Sequence, residues 1–224
     1  MPFSEFLDSR RVQAKELVAA LRKHFAYVSI LGADIKNPTI RVDRNTSTIR
    51  SGSVTECGFV VKAASDQVFF EYSLDDISGD IQALADKIVS AFQLNPSLAS
   101  STVGSISLTD EPLVQSFRRE CDLDAHPEAQ LLQFSAELCK SLTGKSECIL
   151  NAMVALSAIE VSKLFISENR ELDQHYVWVN GFMGAVYREN GKTVQVREGA
   201  DSHLMGDVVS KLPTLTDQML HKAH

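Results

Sequence analysis

The sequence predicts an α+β fold, a mostly antiparallel sheet with helices packed on one face. Three observations carry this expectation. Short alternating, β-branched runs follow one another directly rather than alternating singly with helices, which argues against a parallel βαβ arrangement. Amphipathic stretches with three- and four-residue spacing flank those runs. Asn190-Gly191, set between alternating segments, is a strong two-residue hairpin signal.

Phe6, Leu7, Ala14, Leu17, Val18, Leu21 and Phe25 recur at helical spacing and predict a helix over roughly 4–25. Short strands follow around Tyr27–Leu31 and Ile40–Val42, separated by a break at Asn37-Pro38. Gly58–Lys62 and Val68–Tyr72 read as two strands joined by a tight turn at Ser65-Asp66. Ile77, Ile81, Leu84, Ala85, Ile88 and Phe92 form one helical stripe. Asp75-Asp76 stand at its start, where carboxylates suit the helix dipole, and Asn95-Pro96 stops it. The small, polar stretch over about 95–110 reads as a flexible loop.

A third helical region is expected over 111–142, broken near His126-Pro127. Leu131, Phe134, Leu138 and Leu142 mark its buried face, with Gly144 placed for a left-handed cap. Strands are predicted through Cys148–Ile159, Leu164–Ile166, Asp173–Arg188 and Thr193–Val196. The stretch 207–224 reads as partly helical, interrupted at Pro213.

Composition narrows the function classes. The 224 residues carry a net charge of −7, and Arg10-Arg11 and Arg118-Arg119 are the adjacent basic pairs of note. Broad phosphate contact needs clustered cations, so direct nucleic-acid binding is not expected. No apolar run approaches the roughly 18 residues of a membrane span, and the start lacks a signal-peptide pattern. A cytoplasmic location is the default expectation. Cys57, Cys121, Cys139 and Cys148 include no Cys-x-x-Cys pair, so neither a zinc ribbon nor a redox dithiol is indicated. Cys57 and Cys148 lie in apolar runs and read as small buried hydrophobes.

No catalytic constellation emerges from the residues alone. Gly144-Lys145-Ser146 is part of a phosphate-loop pattern, but position 139 is cysteine where that loop needs glycine, and the helix precedes the strand. The six histidines contain no His-Glu-x-x-His spacing. His175 reads as a half-exposed strand histidine, and His221 and His224 as residues of a frayed end. No Gly-x-Ser-x-Gly elbow occurs. The expected catalytic, cofactor-binding and metal-ligating sets are therefore empty.

The order of elements resembles one known family. Thr48–Lys62, with its Gly-hydrophobic-x-Val-basic strand, is similar to the start of TldD/PmbA proteins. The return through Phe69–Ser73 into the helix at Ile77–Phe92 fits them too, as does Lys163–Arg170 followed by the strands at Tyr176–Arg188 and Lys192–Glu198. Asn169-Arg170 departs from the family, which often has glycine there; asparagine tolerates the left-handed geometry such a turn uses. The resemblance implies an N-terminal α+β domain over 1–205, with 206–224 beginning a linker or a next domain. It implies a zinc metallopeptidase, once called a modulator of DNA gyrase, acting on small or unfolded peptides as a complex of related subunits or a homodimer. The family's zinc is held by a His-Glu-x-x-x-His helix that these residues lack. This chain would then be a non-catalytic part, contributing to the substrate channel or to assembly, with zinc bound elsewhere in the parent protein. Two alternatives stand beside it. One is a stand-alone peptide-binding or dimerisation module using strand edges around Val177–Tyr187. The other is an enzyme with a dispersed site involving His175 or Cys57.

Overall fold

The computed structural model describes residues 2–50, 54–65, 68–93 and 110–222. Its spine is one long hairpin, β7 (Ile149–Ser167) and β8 (Arg170–Glu189), paired antiparallel along almost its whole length. The remaining strands are β1 (Tyr27–Lys36), β2 (Thr39–Asp43), β3 (Ser47–Arg50), β4 (Val54–Ser65), β5 (Val68–Leu74), β6 (Leu113–Arg118) and β9 (Lys192–Ser202). The free edge of β7 is shared by two neighbours, β2 against Met153–Ser157 and β1 against Glu160–Ser167. The outer edge of β8 is shared likewise, by β9 against Val179–Glu189 and by β6 against Arg170–His175. With β3 beyond β2, and β4 then β5 beyond β1, the nine strands form one sheet. All pairings are antiparallel except that of β6 with β8.

The helices lie on one face, as the sequence predicted, in two groups. Helices α1 (Glu5–Ser9), α2 (Arg11–Leu21) and α3 (Ile81–Gln93) cover the β1–β4–β5 half. Helices α4 (Glu128–Gly144), α5 (Met205–Lys211) and α6 (Thr216–His221) cover the half built from β2 and β9. Even-numbered residues of β7 feed both groups: Ala152, Val154, Leu156 and Ala158 enter one core, Leu164 and Ile166 the other. Period-two geometry puts all six on one face of the sheet. Gly181 admits α5 closely, since a Cβ there would lie 2.4 Å from Val208 Cγ1. Residues 205–221 thus pack onto the same core as α4, with Val208, Leu212 and Met219 fully buried.

Several local expectations are corrected. The first helix breaks at Arg10, where φ −104° and ψ 1° interrupt it. The helix expected from Asp75 begins later, at Ile81, with the Asp80 carboxylate accepting from Gln82 N and Ala83 N. Asp76 instead binds Arg10, with Nε 2.7 Å from Oδ1, and accepts from Ile77 N. Residues 113–118, expected as helix, form strand β6, because the otherwise unpaired edge of β8 supplies hydrogen-bond partners that local periodicity does not reveal. Gly144 is the last residue of α4 and has no positive φ. Asn169 has none either; Ser167 Oγ accepts from Arg170 N at 3.1 Å and holds that turn. Asn190 (φ 51°) and Gly191 (φ 77°) form the predicted type I′ hairpin. The loop expected over 95–110 and the turn at Asp66 fall, all but Asp110, outside the described residues.

Candidate functional site

The face of the sheet turned away from the helices is the most distinctive surface of the chain. Odd-numbered residues of β7 point there: Met153, Ala155, Ile159, Val161 and Phe165. Register places Phe182, Trp178, Tyr176 and Leu172 of β8 beside them. Leu31 of β1 and Phe117 of β6 extend the surface across the sheet. Leu31 is 40% exposed, Trp178 44% and Phe117 45%. Leu31, Phe117, Phe165 and Leu172 line a shallow hollow of about 380 Å³, with Lys163 and Gln174 at its rim. At the other end the Arg197 guanidinium stacks 3.6 Å from the Phe182 ring centroid. Strands that are apolar on both faces are normally covered on both, and a contiguous apolar patch rimmed by polar groups marks an interaction surface.

The helix side carries a polar row between the two cores. Register aligns Asp34, Ser162 and His175 across β1, β7 and β8. Ser4 caps α1 by accepting from Leu7 N, and its Oγ donates to Asp34 Oδ2 at 2.6 Å. Ser162 Oγ accepts from Ser4 N at 3.3 Å and lies 3.0 Å from His175 Nδ1. His175 is 4% exposed, not half-exposed as the sequence suggested, because it faces inward beneath the N-terminal segment. Burial, with cationic Arg118 and Lys36 nearby, pushes its pKa below the usual histidine value. Ser162 Oγ and His175 Nδ1 share this hydrogen bond, and Nε2 has no hydrogen-bond partner among the described residues. This is no catalytic triad. Asp34 engages Ser4 rather than His175, and Ser162 is 4% exposed. The Cys57 thiol is exposed, a correction to its expected burial, and Cys148 is half-buried. Partial burial, then Asp34 and Asp76, raise the Cys57 pKa, which disfavours the nucleophilic thiolate. All four cysteines are free thiols.

An ionic cluster ties the N-terminal helices to β8. Arg11 reaches Glu171 at 2.8 Å and Asp173 at 3.0 Å; Arg118 meets Asp173 at 2.5 Å and Lys15 meets Glu171 at 2.5 Å. Both guanidinium groups flank the Phe3 ring, at 5.6 and 4.8 Å from its centroid. Burial alone would raise the Asp173 pKa, but hydrogen bonds from Arg118 and Arg11 outweigh it and hold the carboxyl below its ordinary value.

Beside the polar row a cleft of about 360 Å³ opens between α4 and β7. Its walls include Pro38, Leu131, Leu156, Ala158, Glu160 and Met205. Burial, reinforced by Asp34 and Asp124 and offset by Lys36, raises the Glu160 pKa.

Among the described residues no group of three or more His, Cys, Asp or Glu side chains is placed to hold a metal ion. No described helix is long and apolar enough to cross a membrane. The β8 edges around Val177–Tyr187, expected as a peptide-pairing site, are occupied by β7 along the whole stretch and by β9 from Val179 onward.

No protein-family model and no curated protein matches the sequence. Solved structures do match in fold. A candidate modulator of DNA gyrase from Bacteroides thetaiotaomicron superposes with a TM-score of 0.72 at 12% identity, over 96% of this chain and 50% of that one. Another from Thermotoga maritima gives 0.69 at 10% identity, over 93% and 47%. TldE from Thermococcus kodakarensis gives 0.62 at 13% identity, over 92% and 47%. The chain thus spans about half the length of these structures, and across nearly all of its own length it has the fold of that half of the DNA gyrase modulators and TldE.

Proposed function

We propose that the chain is the N-terminal, non-catalytic part of a TldD/PmbA-type metallopeptidase acting on small or unfolded peptides in the cytoplasm. The observation that carries this reading is the fold likeness, which takes in almost all of this chain yet only about half of each neighbour. The apolar face that no described helix covers supports it, because β7 and β8 have the two-sided composition of strands packed on both faces. In this reading that face forms a wall of the substrate channel or seats a related subunit, a second copy or a further domain. The described residues offer no zinc ligand set, so the metal would be held outside them. The chain's own contribution is binding area and shape, and the net charge of −7 fits peptide rather than nucleic-acid contact.

The test is to incubate the purified 224-residue chain, with and without zinc, with an unfolded polypeptide and to follow cleavage by mass spectrometry. No cleavage is expected from this chain, and chelator-sensitive cleavage is expected from the native assembly purified from its source. Zinc-dependent cleavage by the chain alone would refute a non-catalytic role.

A second reading, a stand-alone peptide-binding module, is favoured by β6. All six of its residues are exposed and its outer edge has no partner strand among the described residues, so it can accept a further strand. Saturable binding of a peptide by the isolated chain, with backbone amide shifts confined to β6, would favour it.

A further inference from the structure

The cleft beside Glu160 stands apart from the open sheet face, on the helix-covered side. Leu156 and Ala158 of β7 line it together with Pro38, Leu131 and Met205, and Thr39, His126, Glu128 and Ser157 add polar groups to the lining. Glu160 is in the lining, half-buried, with no hydrogen bond and no ion pair at contact distance among the described residues. Asp124, also unpaired among them, lines the same cleft. Lys36 is directly across the β1–β7 pair from Glu160, yet it forms no ion pair with it and does not line the cleft. His126, also in the lining, is bound 3.2 Å from Asp122, whose carboxylate caps α5 through Met205 N and Gly206 N. The volume suits one extended side chain and its adjoining backbone, at the small end of ligand sites.

A cleft whose lining joins apolar side chains to the unpaired carboxylates of Glu160 and Asp124 is complementary to an aliphatic stem ending in a cation. We infer that this cleft takes the side chain of a lysine residue in a peptide, with the ammonium group against Glu160 and Asp124 and the methylene stem along Leu131, Leu156 and Ala158. A half-buried carboxylate without a partner is costly, and an incoming ammonium supplies the missing partner where the dielectric is low. A neutral chain of the same length fills the cleft and leaves that cost in place. Burial raises the Glu160 pKa, and a bound ammonium would lower it again by favouring the ionised form.

The experiment is a nuclear magnetic resonance titration of the full chain with blocked Ala-Lys-Ala and with its norleucine isostere. The lysine peptide is expected to bind about ten- to a hundredfold more tightly, with shifts at Leu131, Ala158 and Glu160. Glu160→Gln should abolish that preference while keeping the dispersed spectrum of the folded chain, and Asp124→Asn should weaken it. Equal affinities for the two peptides would overturn the inference. So would a lysine preference that survives both substitutions, or no saturable binding of the lysine peptide up to about 10 mM, where even weak side-chain recognition registers.

Discussion

Gly181→Ala tests how residues 205–221 belong to the fold. The added methyl would lie 2.4 Å from Val208 Cγ1 and 3.0 Å from side-chain carbons of Leu156 and Leu212. Carbon atoms pack best at roughly 3.5–4.0 Å, so α5 must move outward by about 1 Å. Overpacking of this kind costs about 1–3 kcal/mol. Gly181 has no positive φ, so alanine fits the backbone and regains about 0.4–1 kcal/mol from the unfolded chain. The net expectation is a loss of about 1–2 kcal/mol, which lowers Tm by roughly 2–8 °C in a domain of this size. Urea unfolding followed by circular dichroism measures it, with unchanged m-value as the check on two-state behaviour. Val208→Ala removes the nearest clash. On that background Gly181→Ala should cost about 1 kcal/mol less than alone, a coupling within the usual range for touching residues. If Gly181→Ala is neutral or stabilising, or costs the same on both backgrounds, α5 is not seated on the sheet as described and residues 205–221 belong to a separate element.

Two further predictions concern the helix side. His175 has a depressed pKa in the folded chain, so protons bind the unfolded state first. Stability is present above the ordinary histidine value of about 6.5 and falls as pH drops below it toward the folded value. His175→Asn, which keeps a hydrogen-bonding group for Ser162, should flatten stability between about pH 7 and pH 5 in urea titrations; an unchanged slope would show that His175 does not titrate in this way. Arg11→Met removes the guanidinium from Glu171 and Asp173 while keeping much of the stem. It should cost about 1.5–3 kcal/mol at neutral pH. Asp173 has a lowered folded pKa, so this difference is full above the unfolded carboxylate value of about 4 and shrinks as pH falls through the folded value. A wild-type and variant difference that persists undiminished at low pH would rule out the ionic explanation.

Much of the architecture was legible in period alone. The alternation of β7 and β8, the Asn190-Gly191 turn and the stripe through Ile81–Phe92 each express a local rule that tertiary packing reinforced. The failures share a cause. Strand β6 exists because β8 offers a free edge, a partner more than fifty residues away that no local window contains. Asp76 left its expected helix-start role because Arg10 lay within reach across 66 residues. Cys57 sits in an apolar run, yet its position on the sheet leaves it exposed. The candidate surface was legible only in part. Alternation assigns Phe165 and Trp178 to one face but cannot say that no described helix covers it, and the Glu160 cleft depends on where α4 crosses β7. His175 was noticed, but its link to Ser162 and Ser4 arises only when β1, β7 and β8 are laid side by side.

The central claim is that the apolar sheet face is covered in the working assembly, and hydroxyl-radical footprinting read by mass spectrometry tests it most directly. The isolated chain is compared with the native protein purified from its source. Leu31, Phe117 and Trp178 should be modified in the isolated chain and protected in the native assembly, while Val12, 64% exposed on the outer side of α2, reacts equally in both. Equal modification of all four residues in the two samples would contradict the claim and leave the open face without a partner.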